Sequence, residues 1–461
     1  MEHQTFFQHY LQYLLSSKGL FSILVAFPVL LYLQQTALKP SGKTRIPGCL
    51  RMGLRGKSNL DDQYTIKDRS AGLPRVKAIY VYPVKSCRAV ELAASDISRT
   101  GLSYDRMFSF AQYVPAKHGV GDETSIVDSE GAQQWRFITQ REFPKLALLT
   151  TELWVPDPRR EVEAGRHGQR TEKRTGTIIS ARSEGSKKSM SDDWVGQGGC
   201  LLLSFPYQQK STVFGERTEI ITMKIPLTPS PQRVREKKYT SEPIAIWKDC
   251  PMSLNVSNEI DPNALAKLKE FLGVKNTLGL FRVDCDNLRE ISRSLPKDHL
   301  DEKFNVGFAD AFPVHLLSLA SVRAVDEDLP PNASTKGKLD AVRFRANIYV
   351  DGVTASAEDQ WMKIAIGRAL AGDGKFGPAG YHVACRTARC TLPNVHPGSG
   401  VKDRNEPHAT LKRTRQVDEG AKPHPCLGLS MIPLFTRGII RVGDEIDVLQ
   451  IGEHCYEKMF S

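Results

Sequence analysis

Short segments of β-branched and aromatic residues, each stopped by Gly, Pro or Asp, recur along the chain from residue 75 onward. Residues 75–87 read RVKAIYVYPVKSC and residues 342–352 read VRFRANIYVDG. Such residues favour strands, and turn residues at short intervals favour sheets with short connections. The sequence therefore predicts an α+β fold that is mostly β, with few helices.

One segment has a convincing helical pattern, and a second is a candidate helix. In the first, Asp261 is placed to cap a helix that has Pro262 at its first position and ends before Gly273. The second is expected to follow Ser318. The apolar residues at helical spacing are Leu265, Leu268 and Leu272 in the first segment, and Leu319, Val322 and Val325 in the second. Near the C-terminus, GIIRVGDEIDVLQIG (438–452) predicts a hairpin that closes a β-barrel.

The N-terminal region has the pattern of a membrane anchor. Residues 19–38, GLFSILVAFPVLLYLQQTAL, contain no charged residue and approach the length of about 20 residues that a bilayer span needs. We expect an anchor over 1–38, with a cleaved signal peptide as the alternative. Basic residues crowd the following segment, 39–74, which is predicted to be a polar linker. By the positive-inside rule the main body faces the cytosol, and an odd count of nine scattered cysteines fits that reducing compartment.

Five units of the net charge of +11 lie in one stretch of thirty residues. Residues 159–188 contain nine basic and four acidic residues, and Gly and Ser are frequent among them. With so little to bury, this stretch predicts a disordered insertion at about 156–199. No aromatic residues interleave with its charges, so nucleic-acid binding is not expected.

Six motifs occur in an order that resembles the MOSC-domain family, over a region from about residue 75 to the C-terminus. They are YPVKSC (82–87), GLSYDRMF (101–108), FITQREFPKL (137–146), RFRANI (343–348), EDQWMKIAIG (358–367) and RCTLPNVHPGSG (389–400). The resemblance implies an N-terminal MOSC β-barrel domain over 75–250. It implies a helical connection and the MOSC domain itself, also a β-barrel with a few helices, over 251–461.

The resemblance also implies a molybdenum cofactor, Mo-molybdopterin, with one protein thiolate on the metal. By position this ligand, and the main catalytic residue, would be Cys390. A soft thiolate suits a metal that changes oxidation state. The cofactor's phosphate and pterin need cations and polar donors, and the family positions that match are Lys85, Ser86, Arg106, Thr139, Arg141, Arg345 and Asn347.

The sequence departs from the family pattern near the ligand. A second cysteine usually lies three residues before it, whereas Cys385 lies five before Cys390. Asn394 and His396 replace the family's Thr and Asp. His396 is a candidate proton donor, and an exposed turn histidine is the alternative. Asp359 and Trp361 are expected to be structural.

Anchored members of the family reduce N-hydroxylated compounds, which predicts the same activity here, at the mitochondrial outer membrane or the endoplasmic reticulum. No haem or flavin motif occurs in the chain, so a b-type cytochrome and an NADH-dependent cytochrome reductase are the expected electron donors. One alternative is a sulfur carrier or molybdenum cofactor sulfurase-like transferase, although the family-level pyridoxal phosphate domain would not fit into the roughly seventy residues before the first motif. The other is a non-catalytic cofactor-binding membrane protein.

Overall fold

The computed structural model describes residues 45–64, 73–115, 133–159, 193–211, 215–370 and 374–458. The predicted anchor, 1–38, lies outside them. Within the described residues, no helix is long and apolar enough to cross a membrane. From residue 47 onward, the described residues form one compact unit.

An eleven-stranded sheet holds most of the core. Its strands come from both ends of the described chain, because the first ones pair with strands that follow residue 313. They are β2 (Arg75–Val81), β3 (Val90–Leu92), β4 (Ala94–Ser98), β5 (Gly101–Leu102), β16 (Val314–Ser318), β17 (Ile348–Asp351), β18 (Trp361–Leu370), β19 (Phe376–Ala388), β20 (Cys426–Pro433), β21 (Arg437–Arg441) and β22 (Ile446–Ile451). The order runs β3-β2-β17-β16-β20-β19-β18-β21-β4-β5, and β22 pairs with β18.

Five further strands close into a barrel in the order β11-β12-β13-β6-β7. They are β6 (Phe108–Pro115), β7 (Gln133–Phe137), β11 (Thr240–Ala245), β12 (Met252–Asn255) and β13 (Thr277–Val283). A four-stranded sheet contains β1 (Cys49–Arg51), β8 (Thr150–Pro156), β9 (Cys200–Ser211) and β10 (Gly215–Pro226), and a two-stranded sheet contains β14 (Arg289–Glu290) and β15 (Asn305–Val306). The prediction of a mostly β fold is confirmed.

The described residues contain four α-helices: α1 (Pro231–Glu236), α2 (Pro262–Leu272), α3 (Leu319–Asp328) and α4 (His408–Thr414). The two predicted helices, α2 and α3, are confirmed, and so are the two predicted ends of α2. The Asp261 side chain accepts hydrogen bonds from the first turn of α2, and Gly273 ends this helix in the left-handed conformation that glycine favours. The sequence predicts neither α1 nor α4, because six or seven residues are too few to establish a helical period.

The prediction of a C-terminal hairpin is wrong. Strands β21 and β22 do not pair with each other; both run antiparallel to β18. The Val-Gly-Asp turn instead interrupts a segment that pairs with β18 on both sides of the turn. The backbone of the turn bonds to the start of β2: Val76 N donates to Asp444 O (2.9 Å), and Gly443 N donates to Val76 O (2.8 Å). The apolar runs flank a turn in either arrangement, so local sequence does not separate the two.

Three predicted boundaries differ from the structure. The segment 39–74 is no free linker in its described part, because Cys49–Arg51 pairs with β8 and Leu60 is buried. Residues 160–192 of the predicted insertion lie outside the described residues, whereas 193–199 form turns that bury Trp194. The division at residue 250 falls between β11 and β12, two neighbouring strands of one barrel.

A buried carboxyl group, Glu358, lies in the turn before β18. Its side chain is fully buried; one oxygen accepts a hydrogen bond from Ser321 Oγ (2.6 Å), and the other has no partner among the described residues. Burial raises the pKa of Glu358 to about 7, and the neighbouring Asp359 adds to the effect. The folded protein therefore holds a proton that the unfolded chain releases at lower pH.

We expect Glu358→Gln to stabilise the protein above pH 7 and to change it little at pH 5. Because the folded-state pKa is raised, stability contributed by protonated Glu358 is lost as the pH rises from about 4.5 through 7. One pKa unit corresponds to about 1.4 kcal/mol, so the loss is on the order of 3 kcal/mol. Urea unfolding of both proteins at pH 5 and pH 8 measures the difference, and equal changes at the two values would contradict this role.

Candidate functional site

One cavity of about 260 Å³ gathers the residues that the sequence singled out. Neighbouring strands of the large sheet and two loops of the barrel supply its walls. The predicted residues that line it are Lys85, Ser86, Arg106, Thr139, Arg141, Arg345, Asn347 and Cys390. These positions are spread over three hundred residues of sequence, so their convergence is a property of the fold.

Two loops beside β2 form the floor of the cavity. Residues 82–87 lie against residues 104–108, with Arg106 N donating to Tyr82 O (2.8 Å) and Lys85 N to Phe108 O (2.8 Å). The Lys85 ammonium donates to Phe308 O (2.8 Å) and pairs with Asp310 Oδ1 (2.5 Å). Burial lowers the pKa of Lys85 to about 8, although Asp310 opposes the shift. Lys85 is thus a buried, partly compensated cation at the cavity surface.

The guanidinium groups of Arg106 and Arg345 lie over the buried ring of Tyr82, at 4.7 and 4.2 Å from its centre. Arg106 pairs with Asp105 and donates to Asn347 Oδ1 (3.0 Å) and Arg345 O (2.9 Å). The Asn347 amide also donates to Tyr80 O (3.1 Å), so it orients Arg106. Asn347 is therefore held largely by the protein itself.

Backbone conformation is unusual around the cavity. Among the described residues, eight other than glycine have a positive φ, and four of them line the cavity: Ser86, Arg106, Trp247 and Arg345. Side chains with a Cβ disfavour this region, and such strain concentrates at functional sites. The fold therefore holds these four side chains in place at a cost in backbone energy.

The two cysteines of the cavity differ in their surroundings. Cys390 is partly exposed and lies two residues after the end of β19, whereas Cys385 is buried within that strand. Burial raises the pKa of the Cys385 thiol well above its ordinary value, so this thiol stays protonated. Cys390 is therefore the better candidate for a thiolate ligand.

Among the wall residues that sequence reasoning missed are His315 and Arg389, which contact each other. Arg389 is buried, and its guanidinium donates to Leu427 O (2.8 Å), Phe344 O (3.0 Å) and the Nε2 atom of His315 (2.5 Å). Burial and Arg389 together hold the pKa of His315 well below its ordinary value, so the ring is neutral. A histidine within the apolar run VHLLS and an arginine directly before Cys390 were the available signals.

The charge of the cavity wall is strongly unbalanced. Among the described residues that line it, six are cations and one, Asp310, is a carboxylate. The cations are Lys85, Arg106, Arg141, Arg343, Arg345 and Arg389. Arg345 Nη2 and Arg343 Nε are buried donors without a hydrogen-bond partner in the described structure. Buried donors normally have acceptors, so the wall fits an anionic ligand with several oxygen atoms.

Two of the sequence-predicted positions near the ligand lie outside the cavity wall. His396 is exposed, and its Nδ1 atom accepts from Gly398 N (3.1 Å) and Ser399 N (3.0 Å), as expected for a turn histidine. Asn394 is buried and accepts from His408 N (3.0 Å) at the start of α4. The structure does not bring His396 to the cavity as a proton donor.

The structural roles predicted for Asp359 and Trp361 are confirmed. Asp359 accepts two hydrogen bonds from the Arg415 guanidinium, at 2.7 and 2.9 Å, and Trp361 is buried in the main core.

These residues fit a phosphorylated pterin that carries molybdenum. Groups of metal-ligating side chains that could hold an ion by themselves are absent from the described residues. The wall instead provides cations, two unpartnered guanidinium donors and one accessible thiol. Such a set suits a metal that arrives already bound to an organic group and takes a single further ligand from the protein.

Comparison with known proteins finds two family matches on this chain. A family model described as "MOSC N-terminal beta barrel domain" matches residues 73–195, and one described as "MOSC domain" matches 303–447. "Mitochondrial amidoxime-reducing component 1" of Mus musculus is 34% identical over 154 residues, 32% of this chain and 39% of the relative. The protein of that name from Xenopus laevis is 23% identical over 378 residues, which are 80% of this chain and 81% of the relative.

The match to the mouse protein spans about two fifths of that relative's length. "Mitochondrial amidoxime reducing component 2" of Bos taurus is 34% identical over 160 residues, which are 35% of this chain and 41% of the relative. The two family models together cover more than half of the 461 residues, in the order that the sequence motifs predict. On this evidence the chain belongs to the MOSC-domain family.

Proposed function

We propose that this protein is a molybdenum cofactor-dependent oxidoreductase that reduces N-hydroxylated compounds of the amidoxime and hydroxylamine type. The observation that carries the proposal is the cavity, whose wall contains six cations, one carboxylate and the Cys390 thiol. The names of the relatives, which specify amidoxime reduction, support the substrate class. When bound, the cofactor would supply a two-electron redox couple at the metal.

The protein's own residues would bind and orient this group. Lys85, Ser86 and Arg106 are proposed to hold the phosphate, since they offer a point charge, a hydroxyl and a planar guanidinium on one floor. Arg345, with its unpartnered Nη2, and Arg343 and Arg141 are proposed to donate to the pterin or phosphate. Thr139 and Asn347 would support Arg141 and Arg106, to which they are hydrogen-bonded.

The proton supply is proposed to come from groups other than His315 and His396. His315 is neutral and accepts a hydrogen bond from Arg389, so its Nε2 atom carries no proton to give. His396 lies outside the cavity wall.

We also propose that the protein is anchored in a membrane, with its catalytic part in the cytosol. The mitochondrial outer membrane is favoured by the names of the relatives, and the endoplasmic reticulum is the alternative. The proposed electron donors are a b-type cytochrome and its NADH-dependent reductase. The net charge of +11 suits electrostatic docking of an acidic donor.

Cys390→Ser is expected to lower amidoxime reduction more than about a hundredfold, whereas Cys385→Ser keeps most of it. Serine stays protonated at neutral pH and is a poor substitute for a thiolate, and the Cys385 thiol is protonated already. The measurements are molybdenum content, pterin content and turnover with an artificial electron donor. Cys390→Ser should keep much of the pterin, which the cations hold.

If Cys390→Ser is active and Cys385→Ser is inactive, the ligand is Cys385 and the assignment to Cys390 is wrong. Full activity in both variants would exclude a thiolate mechanism. A parent protein that binds molybdenum but reduces no N-hydroxylated compound would leave a cofactor carrier as the function.

Arg345→Met is expected to lower pterin content about tenfold without lowering stability. Burial lowers the pKa of Arg345, and its Nη2 atom has no described acceptor, so the cation is costly to the cofactor-free protein. Exposed Arg441, outside this cavity, gives the matched control Arg441→Met. Pterin content and the thermal midpoint of cofactor-free protein are measured; a large drop in that midpoint would show that Arg345 serves packing.

Added salt is expected to slow NADH-driven turnover through the cytochrome and to leave turnover with a small neutral donor unchanged. Screening weakens attraction between exposed charges at a distance but affects chemistry inside the cavity little. Both rates are measured from low to physiological ionic strength. Equal salt dependence of the two rates would argue against electrostatic docking.

A further inference from the structure

The segment that follows β22, residues 452–458, folds back onto the protein; we call it the C-terminal tail. Its first residue donates from Gly452 N to Gln360 O (2.8 Å), and the buried His454 ring contacts Trp361 O through Nε2 (2.9 Å). Near its end, Glu457 Oε2 accepts from Ser294 N (3.0 Å). The tail is therefore fixed at both ends.

A buried ion pair clamps the middle of the tail. Arg386 donates to His454 O (3.3 Å) and to Glu453 Oε2 (3.1 Å), and its guanidinium lies 3.5 Å from Asp418 Oδ2. The other oxygen of Asp418 accepts from Tyr456 N (2.9 Å). Arg386 and Asp418 have side chains that are 6% and 0% exposed, so this clamp is shielded from water and from salt.

Gly420 makes the close approach of the tail possible. A Cβ atom at this position would lie 2.0 Å from Tyr456 O and 2.8 Å from Tyr456 N, both of which are backbone atoms. Any other residue would push the tail away. The fold thus contains a seat for the backbone of one tail residue, Tyr456.

The seated residue points its side chain at the candidate site. Tyr456 lines the cavity together with Cys385 and Asp310, and no described residue makes a hydrogen bond with its hydroxyl. Arg293, whose charge acts on both Tyr456 and Cys385, has a buried Nη1 atom without a described partner. The tail lies beyond residue 447, where the match to the MOSC family model ends.

We propose that the C-terminal tail is the substrate-selecting wall of the cavity and that the Tyr456 side chain determines the size and polarity of the substrates admitted. This inference rests on the proposed reduction of N-hydroxylated compounds. The phenol would donate a hydrogen bond to the polar nitrogen or oxygen end of the substrate, and its ring would exclude bulky groups. The protein would therefore favour compact N-hydroxylated substrates over large aromatic amidoximes.

The ionisation state of Tyr456 agrees with a donor role. Burial raises the pKa of this phenol to about 12, and Cys385 adds to the shift. The hydroxyl therefore keeps its proton throughout the physiological range. A neutral phenol donates one hydrogen bond without changing the charge of the cavity.

Kinetics with two substrates separate size from polarity. Tyr456→Ala is expected to raise kcat/KM for benzamidoxime relative to hydroxylamine about tenfold, because the ring no longer occupies the cavity. Tyr456→Phe keeps the ring but loses the hydrogen bond from the hydroxyl. We therefore expect KM for both substrates to rise about fivefold, with little change in kcat. The control is Cys455→Ala, an exposed neighbour in the tail. An unchanged substrate ratio in Tyr456→Ala would overturn the proposal.

A second measurement requires no turnover. Cys385 is 2% exposed and lines the cavity with Tyr456, so the tail should protect its thiol from iodoacetamide. Alkylation of Cys385 in the full-length protein, mapped by mass spectrometry, is expected to be about tenfold faster in Tyr456→Ala and unchanged in Cys455→Ala. Equal rates in parent and Tyr456→Ala would mean that the tail does not cover the cavity.

Gly420→Ala tests the seat without altering the tail itself. The added Cβ should displace Tyr456, which would speed Cys385 alkylation and shift the substrate ratio as Tyr456→Ala does. Circular dichroism shows whether the variant folds; if it does not, the Tyr456→Ala results decide alone. Absence of amidoxime reduction in the parent would overturn the proposed function, and the alkylation rates would still judge the tail.

Discussion

The concentration of positive charge around one cavity is the constraint on which the rest of the site depends. Six cations face a single carboxylate, Asp310, and burial of unpaired charge costs several kcal/mol for each ion. The fold offsets part of this cost with its own acceptors: Arg389 donates to the carbonyls of Leu427 and Phe344, and Lys85 to that of Phe308. The donors left over, above all Arg345 Nη2, are what an anionic ligand would satisfy.

The backbone of the cavity loops is also held in an unfavourable conformation by the surrounding structure. Ser86, Arg106, Trp247 and Arg345 each adopt a positive φ, which a side chain with a Cβ seldom does. Hydrogen bonds between the loops hold two of them: Arg106 N donates to Tyr82 O, and Arg106 Nη2 to Arg345 O. Strain persists only where surrounding contacts overdetermine the conformation, and the adjacent sheet supplies those contacts. A rigid sheet thus allows loops to present charges in a fixed pattern.

Arg386 and Arg389 lie three residues apart yet serve different purposes. Arg389 fixes the wall beside Cys390 and keeps His315 neutral, whereas Arg386 fixes the tail through Asp418. Each has several protein acceptors, and this distinguishes both from Arg345, whose guanidinium is only partly satisfied. Among these three arginines, the number of protein acceptors therefore separates two that hold the fold from one, Arg345, that has a donor left for a ligand.

The sequence by itself determined the strand-rich character of the chain and helices α2 and α3, because end signals, alternation and helical spacing are local properties. Lys85, Arg106, Arg345 and Cys390 came from the resemblance of short motifs to the MOSC-domain family. Tertiary structure alone decided that β21 and β22 share β18 as partner, that His396 stays outside the cavity, and that His315, Arg389 and Tyr456 line it. Pairing and burial depend on residues distant in sequence, and no local pattern around Tyr456 indicates that Gly420 and Asp418 will seat it.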